Sequence, residues 1–281
     1  MLGKTNKLFI LFLFSILFDS ITIANEAKDD NNWHFHWYIG PSIGIRTYDQ
    51  SNPFLYGTQA KSTAQERYIG AIIGGLARYN NWVFHSYLDS TIGKSNLDFT
   101  INDQILPINE YSDLLHRMFS WSVGGGYRIK SGNFSFMPGI NNTFSYSKTT
   151  TEQGIGFGPF ATINSIQQDI SQAYVGLSQI STWNFNQQTA ISLHSLLGYI
   201  YFHKLTNDIN YSAFSQSHRS ITNYINHRGY YVLLSMAFSY RSQYGGFLLI
   251  PSYSYSYIPH KSTEGSKLTT LSLRLVYLIG S

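Results

Sequence analysis

Cysteine is absent from the 281 residues, which removes disulfide staples, thiolate metal sites and a lipid-modified cysteine behind an export signal. Charge is scarce: Asp, Glu, Lys and Arg make up 12% of the chain, against about 25% in ordinary soluble domains. Long apolar runs are also missing beyond the first residues. That argues against a bundle of spanning helices, each of which needs roughly 20 consecutive apolar residues. The formal charge of +4 is spread without a basic cluster, so nucleic acid is not an expected partner. What the chain has instead is rings: aromatics are 16% of it, with 22 Tyr and 19 Phe.

The one apolar run lies at the start. Lys4 and Lys7 precede Leu8 to Phe18, and Thr22, Ile23 and Ala24 then supply small residues at a cleavage position. This is the layout of a secretory signal peptide, with cleavage expected after Ala24. Residues 1–24 are therefore set apart from the fold, 25–32 form a short N-terminal segment, and 33–281 form the folded unit. Cleavage leaves 17 basic and 14 acidic residues, a net charge of +3.

From residue 33 onward the pattern alternates. Trp33, Phe35, Trp37, Ile39, Pro41, Ile43 and Ile45 share one parity, while His34, His36, Tyr38, Gly40, Ser42, Gly44 and Arg46 share the other. The chain closes in the same way, with Leu271, Leu273, Leu275, Tyr277 and Ile279 against Ser272, Arg274, Val276, Leu278 and Gly280. Two further clear matches cover 228–241 and 245–258, and weaker ones lie near 65–79, 82–94, 115–129, 133–147, 169–183 and 189–203. A strand with lipid on one face and a lumen on the other must change character at every second residue.

The connections alternate in length. Short turns are expected at Tyr79 to Asn81, Lys130 to Asn133, Asn184 to Gln188 and Gln243 to Gly246. Long polar segments are expected at 47–64, 96–114, 148–168 and 204–227. Short turns on one side and long loops on the other, with an even strand number, define an all-β, transmembrane antiparallel up-and-down β-barrel of about ten strands. Such a barrel belongs in a Gram-negative outer membrane, bathed in lipid and lipopolysaccharide and inserted by the barrel-assembly machinery. Trp33, Trp37, Tyr79, Trp82, Trp183, Tyr240 and Tyr257 would form its interfacial girdles. Pro41, Pro138 and Pro251 sit at corresponding places in alternate strands, and a shared bend or bulge is expected there because proline cannot donate to a ladder.

One hairpin carries a family likeness. The run Gly126-Tyr127-Arg128-Ile129-Lys130-Ser131-Gly132-Asn133-Phe134-Ser135-Phe136-Met137-Pro138, continued to Phe144-Ser145-Tyr146, resembles the repeated hairpin of bacterial autotransporter β-domains. A second copy runs from Phe238-Ser239-Tyr240 through Gly245-Gly246-Phe247 to Pro251 and Tyr257. The resemblance implies a solitary β-domain and would imply twelve strands, with a missed hairpin inside 148–168 or 204–227. The chain departs from the family in its short lead before the first strand, so that secretion of a passenger is not implied. It also departs at its end, Leu278-Ile279-Gly280-Ser281, where the family tends to finish on an aromatic residue.

Lumen-facing parity gathers a polar set: His34, His36, Arg46, Glu66, Arg78, His85, Asp89, Arg128, His194, Arg241 and Arg274. A network of paired charges filling a small barrel is the expected use. The histidines carry no metal-ligand spacing, and no metal or other cofactor is expected. An omptin-like protease would need an acidic pair facing an Asp-His pair at the outer rim, and no Asp-x-Asp or Asp-x-His occurs. A serine deacylase would need a Ser-His pair, and the adjacent His194 and Ser195 point to opposite faces of a strand. A non-enzymatic surface barrel is expected, with a narrow pore for small solutes as the alternative. Its binding residues would lie on outward loops: Tyr211, Phe214, His218, Arg219, Tyr224 and His227 on the fourth, and an acidic set, Asp98, Asp103, Glu110 and Asp113, on the second. Host or envelope ligands are the partners such loops would meet.

Overall fold

A computed structural model describes residues 33–53, 59–101, 104–105, 111–151, 155–157, 161–213, 216–226, 228–242, 245–259 and 265–279. The expected signal peptide, its cleavage site and residues 25–32 lie outside them.

Ten long strands build the wall. They are β1 (Trp33–Pro53), β2 (Gln59–Tyr79), β3 (Trp82–Ile101), β5 (Tyr111–Tyr127), β7 (Phe134–Thr151), β9 (Ala161–Asn184), β10 (Thr189–Ala213), β12 (Tyr230–Ser242), β13 (Gly245–Ile258) and β14 (Ser266–Ile279). Four shorter segments complete the order: β4 (Gln104–Ile105), β6 (Ile129–Ser131), β8 (Ile155–Phe157) and β11 (Gln216–Asn226). Each long strand pairs antiparallel with its neighbours in the chain, and β14 pairs with β1, so the sheet closes on itself. Closure removes the edges that a sheet in lipid could not satisfy.

The count is therefore ten and not twelve. Segments 148–168 and 204–227 do hold extra β structure, as a missed hairpin would require. However, among the described residues β8 pairs only with β9, and β11 pairs only with the upper half of β10. β12 takes the lower half of β10, from Thr189 to Tyr199, so β11 and β12 stack as one column and add no turn of wall.

The alternation of the sequence becomes two faces. Trp33, Phe35, Ile39, Ile43 and Ile45 are exposed on the outside of β1, while Ser42 and Arg46 are buried inside. The same holds on β14, where Leu271, Leu273, Leu275, Tyr277 and Ile279 are exposed and Val276 is buried. Rings cluster at the turn end of the outer surface, where Trp33 meets Tyr79 at 5.2 Å, Trp82 meets Tyr127 at 5.3 Å and Phe134 meets Trp183 at 5.2 Å. This is the amphipathic belt that tryptophan and tyrosine form between hydrocarbon and water.

The turns follow their chemistry. Asn80 has φ of 52°, as the two-residue connection between β2 and β3 requires, and Gly132 does the same between β6 and β7 with φ of 56°. Asn186 Oδ1 accepts from the backbone N–H of Gln188 at 2.8 Å and of Thr189 at 2.7 Å, closing the β9–β10 turn.

Two expectations need correction. The prolines do not sit in bulges: across Pro41, Pro138 and Pro251 the register is unshifted on both sides, and the ladder only lacks rungs on one side. β1 pairs with β14 at Ile39 and again at Ser42, while its pairing with β2 runs through Pro41 without a break. The gap around Pro251 lies towards β12, and that around Pro138 lies towards β5 and β6. Losing a donor thus costs a rung or two without shifting the register. The register shifts fall elsewhere, between Ser95 and Leu97, Ile200 and Phe202, and Asn210 and Tyr211.

The second correction concerns the long polar segments. Much of 47–64, 96–114, 148–168 and 204–227 is strand, because the ladders continue far above the belt. β9 and β10 run 24 and 25 residues, against 13 for β12 and 14 for each of β13 and β14. A tilted strand crosses a bilayer in about 9–11 residues. The wall therefore stands highest at β9 and β10, where β11 joins it, and lowest at β12–β14, with β1, β2 and β3 at 21, 21 and 20 residues in between.

Candidate functional site

The lumen is filled by side chains that the parity of the strands sends inward. Arg46 on β1 and Glu66 on β2 are directly opposite in register, and their side chains meet at 3.3 Å. Arg46 also donates to Thr91 Oγ1 at 2.7 Å and lies 3.9 Å from the centre of the Tyr68 ring. The other side of the Glu66 carboxylate is 2.6 Å from His116 Nδ1, and His116 Nε2 is 3.2 Å from the Tyr48 hydroxyl. The Glu66 contact is an approach of ion-pair type: neither Glu66 Oε2 nor His116 Nδ1 has a hydrogen-bond partner, so the bond His116 does make is the one between Nε2 and Tyr48. Glu66 is fully buried and Arg46 and His116 nearly so.

Lower in the barrel, Arg274 on β14 donates to Asp89 on β3 at 2.7 Å across the lumen. Beside it, Ser122 donates to Asn141 Oδ1 at 2.8 Å, and the Asn141 amide nitrogen is 3.1 Å from His85 Nε2. His194 is half-buried, and its Nε2 has no hydrogen-bond partner. Among the described residues, no group of three His, Asp or Glu side chains is placed to hold a metal ion.

Of the eleven lumen residues expected from sequence, Arg46, Glu66, Asp89 and Arg274 join in ion pairs, and His85 enters a hydrogen-bonded chain. His34 lies opposite Arg78 and His36 opposite Leu76 in the β1–β2 ladder. Arg78, Arg128 and Arg241 stand apart at the turn end, where no carboxylate meets them among the described residues. Among the described residues, these three take no part in the paired network.

Parity reasoning missed several members. His116, Tyr48, Thr91, Asn141 and Ser122 hold the polar part together, and their inward parity could have flagged them. It also missed that part of the lumen is apolar. Tyr174, Leu196, Ile200 and Ile258 form a buried cluster with Tyr231 and Leu233 against it, and the Tyr174 and Tyr231 rings stack at 4.1 Å. Alternation of polar with apolar residues cannot reveal an inward face that is itself apolar.

The described members of the outward binding set lie on one hairpin, β10–β11. Tyr211 lies in β10 opposite His218 in β11, Arg219 lies opposite Asn210, and Tyr224 lies opposite Leu205. These four are strand residues, not loop residues, because the ladder of β10 extends to Ala213. Phe214 and His227 lie outside the described residues, as do Asp103 and Glu110 of the acidic set. Asp98 is a strand residue of β3, opposite Thr63, and Asp113 is one of β5. The polar contact that the structure does form here is between Arg219 and Asp208, with Nη2 donating to Oδ2 at 2.6 Å and Nε to Oδ1 at 3.0 Å. Arg219 holds the Asp208 carboxyl below its usual range, first through these hydrogen bonds and then through its charge.

A closed ten-stranded antiparallel barrel with an apolar outer belt, aromatic rims and a side-chain-filled lumen is an outer-membrane-type β-barrel. One solved structure shares this fold, and others show weaker likeness. The outer membrane protease OmpT of Escherichia coli superimposes with a TM-score of 0.56 at 10% identity, over 92% of this chain and 98% of that one. The β-domain of the Bordetella autotransporter BrkA gives 0.37 at 11% identity, over 88% and 98%, and the Yersinia pestis attachment protein Ail gives 0.28 at 13%, over 86% and 98%. At 10% identity the likeness to the protease is one of fold alone. No protein-family model and no curated protein matches the sequence.

Proposed function

We propose that the protein resides in the outer membrane of a Gram-negative bacterium as a non-enzymatic barrel. Its raised wall, β9–β10–β11, would present a binding surface outside the cell. The observation that carries this reading is the height of that wall. β9 and β10 run more than ten residues beyond what a bilayer crossing requires, and their upper halves are knit by ladders and by side-chain bonds such as Thr206 to Asn223 at 2.8 Å. Ordering that much backbone in water is costly, and a projecting rigid sheet is what a surface contact uses.

Among the described residues β11 is paired on one side only, and Ile221 and Ile225 are exposed on it. An unpaired ladder edge beside apolar side chains suits an extended segment of a protein partner, through added backbone hydrogen bonds. Host or envelope proteins are the proposed partners, with lipid and lipopolysaccharide around the belt and the barrel-assembly machinery inserting the chain.

The alternative is a narrow pore. It is disfavoured by the buried Arg46–Glu66–His116 group and the Tyr174–Ile200 cluster, which occupy the lumen as side chains do in barrels of about eight to ten strands. The shared fold with a protease does not bring its activity: the paired-acid and Asp-His patterns such a protease would need are missing from the sequence. The finer family reading, a solitary autotransporter-type domain, rests on the two hairpins alone, and ten strands depart from the twelve it implies.

Planar-bilayer recording tests the choice. The purified barrel should give no steady open-channel steps, and a variant with residues 207–222 replaced by a tight turn should still fold but lose binding of cells to envelope or host protein surfaces. Steady conductance from the intact protein would replace this reading with the pore.

A further inference from the structure

Among the described residues, the turn end of the lumen holds positive charge without a counter-charge. Arg78 Nε donates to the Asn80 carbonyl at 3.0 Å, and the backbone N–H of Arg128 donates to the Asn81 carbonyl at 2.7 Å, so one two-residue turn anchors both residues. Arg241 is fixed at the same end of the barrel, where its backbone N–H donates to the Gln188 carbonyl at 2.7 Å. Arg128 follows the end of β5, leaving the ladder just where Pro138 on β7 offers no donor, and its Nε is buried with no acceptor. Burial works against the charged form of Arg128, and the charges of Arg78 and Arg241 add to that, so Arg128 lies in the field of the other two.

Nothing nearby in the described wall offsets them. No Asp or Glu occurs in 33–45, 70–88, 118–138, 175–195, 232–250 or 275–279, the lower halves of the strands. The nearest carboxylate further up the wall of β3, Asp89, is already paired with Arg274. Three like charges around one opening repel, and a buried N–H without an acceptor loses a bond it would make in water. A multiply charged anion relieves both. The planar fork of a guanidinium matches the oxygens of a phosphate group better than it matches a monovalent halide.

We propose that the turn-end mouth of the barrel, between Arg78, Arg128 and Arg241, binds a phosphate-bearing anion. This site is independent of the raised wall, and only its compartment, the periplasm, rests on the orientation proposed above. Soluble phosphate compounds and phospholipid headgroups share the recognised chemistry.

The test is calorimetric titration of the folded barrel in neutral detergent with inorganic pyrophosphate. Saturable binding is expected, weakening as salt rises. Arg128→Gln and Arg241→Gln should each weaken it about tenfold or more, the loss of one charge-assisted pair. Arg117→Gln, at the far end of β5, should leave it unchanged. Heat-modifiable migration reports whether each variant is folded, and because Arg241 is exposed its variant keeps the test alive if Arg128→Gln fails to fold.

Repeating the titration in nanodiscs distinguishes the sources. Equal affinity in phosphatidylcholine and phosphatidylglycerol discs supports a soluble phosphate, and competition in the second supports the lipid headgroup. No saturable binding, or binding unmoved by both arginine variants, overturns the proposal. Binding that appears only when residues 25–32, with Glu26, Asp29 and Asp30, are deleted also overturns it, because the chain would then supply its own anion.

Discussion

Glu66 on β2 and His116 on β5 are 50 residues apart in sequence and 2.6 Å apart in the lumen, with both side chains shut off from solvent. The carboxylate thereby serves two partners, since Arg46 approaches it at 3.3 Å from the other side. Neither strand pairs with the other, because β3 lies between them. Glu66 thus ties three separate strands from the inside, much as a side-chain core ties a soluble domain. Glu66→Ala should cost about 3–5 kcal/mol, because it strands a buried guanidinium. Glu66→Gln should cost less. Urea unfolding followed by tryptophan fluorescence reads the difference, and equal stability of Glu66→Ala and wild type would deny the group a structural role. The same packing makes Gly93 sensitive, since a methyl group there would overlap the Glu66 carboxylate and the Arg67 carbonyl.

The apolar part of the lumen should respond like a globular core. Ile200 is fully buried against Tyr174, Leu196 and Ile258, so Ile200→Ala should lose about 2–5 kcal/mol by deleting packed methyl groups with little room to collapse. The measurement is the same urea midpoint. A loss under about 1 kcal/mol would mean that the lumen is loose or wet at this level.

The outer belt should respond to charge. Leu177 is 72% exposed on β9, beside Leu197 on β10, at mid-height of an aliphatic surface. If hydrocarbon covers it, Leu177→Arg costs about 2–4 kcal/mol in lipid vesicles. Ser131→Arg, in the hairpin at the turn end, should stay within about 0.5 kcal/mol. Equal effects at the two positions would place Leu177 outside the membrane.

The Asp208–Arg219 pair gives the raised wall a pH dependence of known sign. Asp208 ionises more readily in the folded hairpin than at its ordinary value of 3.8. Its contribution is therefore fully present above that value and is lost as the pH falls through the lower folded one. Hydrogen exchange in β10 and β11 should show steady protection from pH 8 to 5, apart from the intrinsic rate, and weaker protection below about pH 4. Arg219→Gln should remove that acid step. Protection that falls instead between pH 7 and 6 would point to a histidine.

Orientation is decided by labelling. An epitope tag after Ser217, near the tip of the β10–β11 hairpin, should be reached by antibody on intact cells, and one after Ser131 should be reached only after the outer membrane is opened. The reverse pattern would turn the barrel over, moving the arginine mouth outside and the raised wall into the periplasm.

The alternation between Trp33 and Arg46, and between Leu271 and Gly280, determined by itself that these residues are strands and which face each side chain takes. Side-chain direction in a strand follows from position alone, and an apolar medium on one face with polar contents on the other leaves a repeat of two. The Asn80-Asn81 and Gly132-Asn133 turns were legible for a related reason, since their backbone chemistry is local. The upper limits of β9 and β10 were not legible, because above the belt both faces meet water and the repeat dissolves into polar residues, so 148–168 and 204–227 read as loops. Partnership across the lumen was decided by the tertiary structure alone. Parity sends Arg46, Glu66, Asp89, His116 and Arg274 inward, but only the strand order and the closure of β14 onto β1 determine that Arg274 reaches Asp89 and that Glu66 lies between Arg46 and His116. The position of Arg78, Arg128 and Arg241, with no carboxylate against them among the described residues, belongs with these, because it depends on which strands the closed order brings to one end.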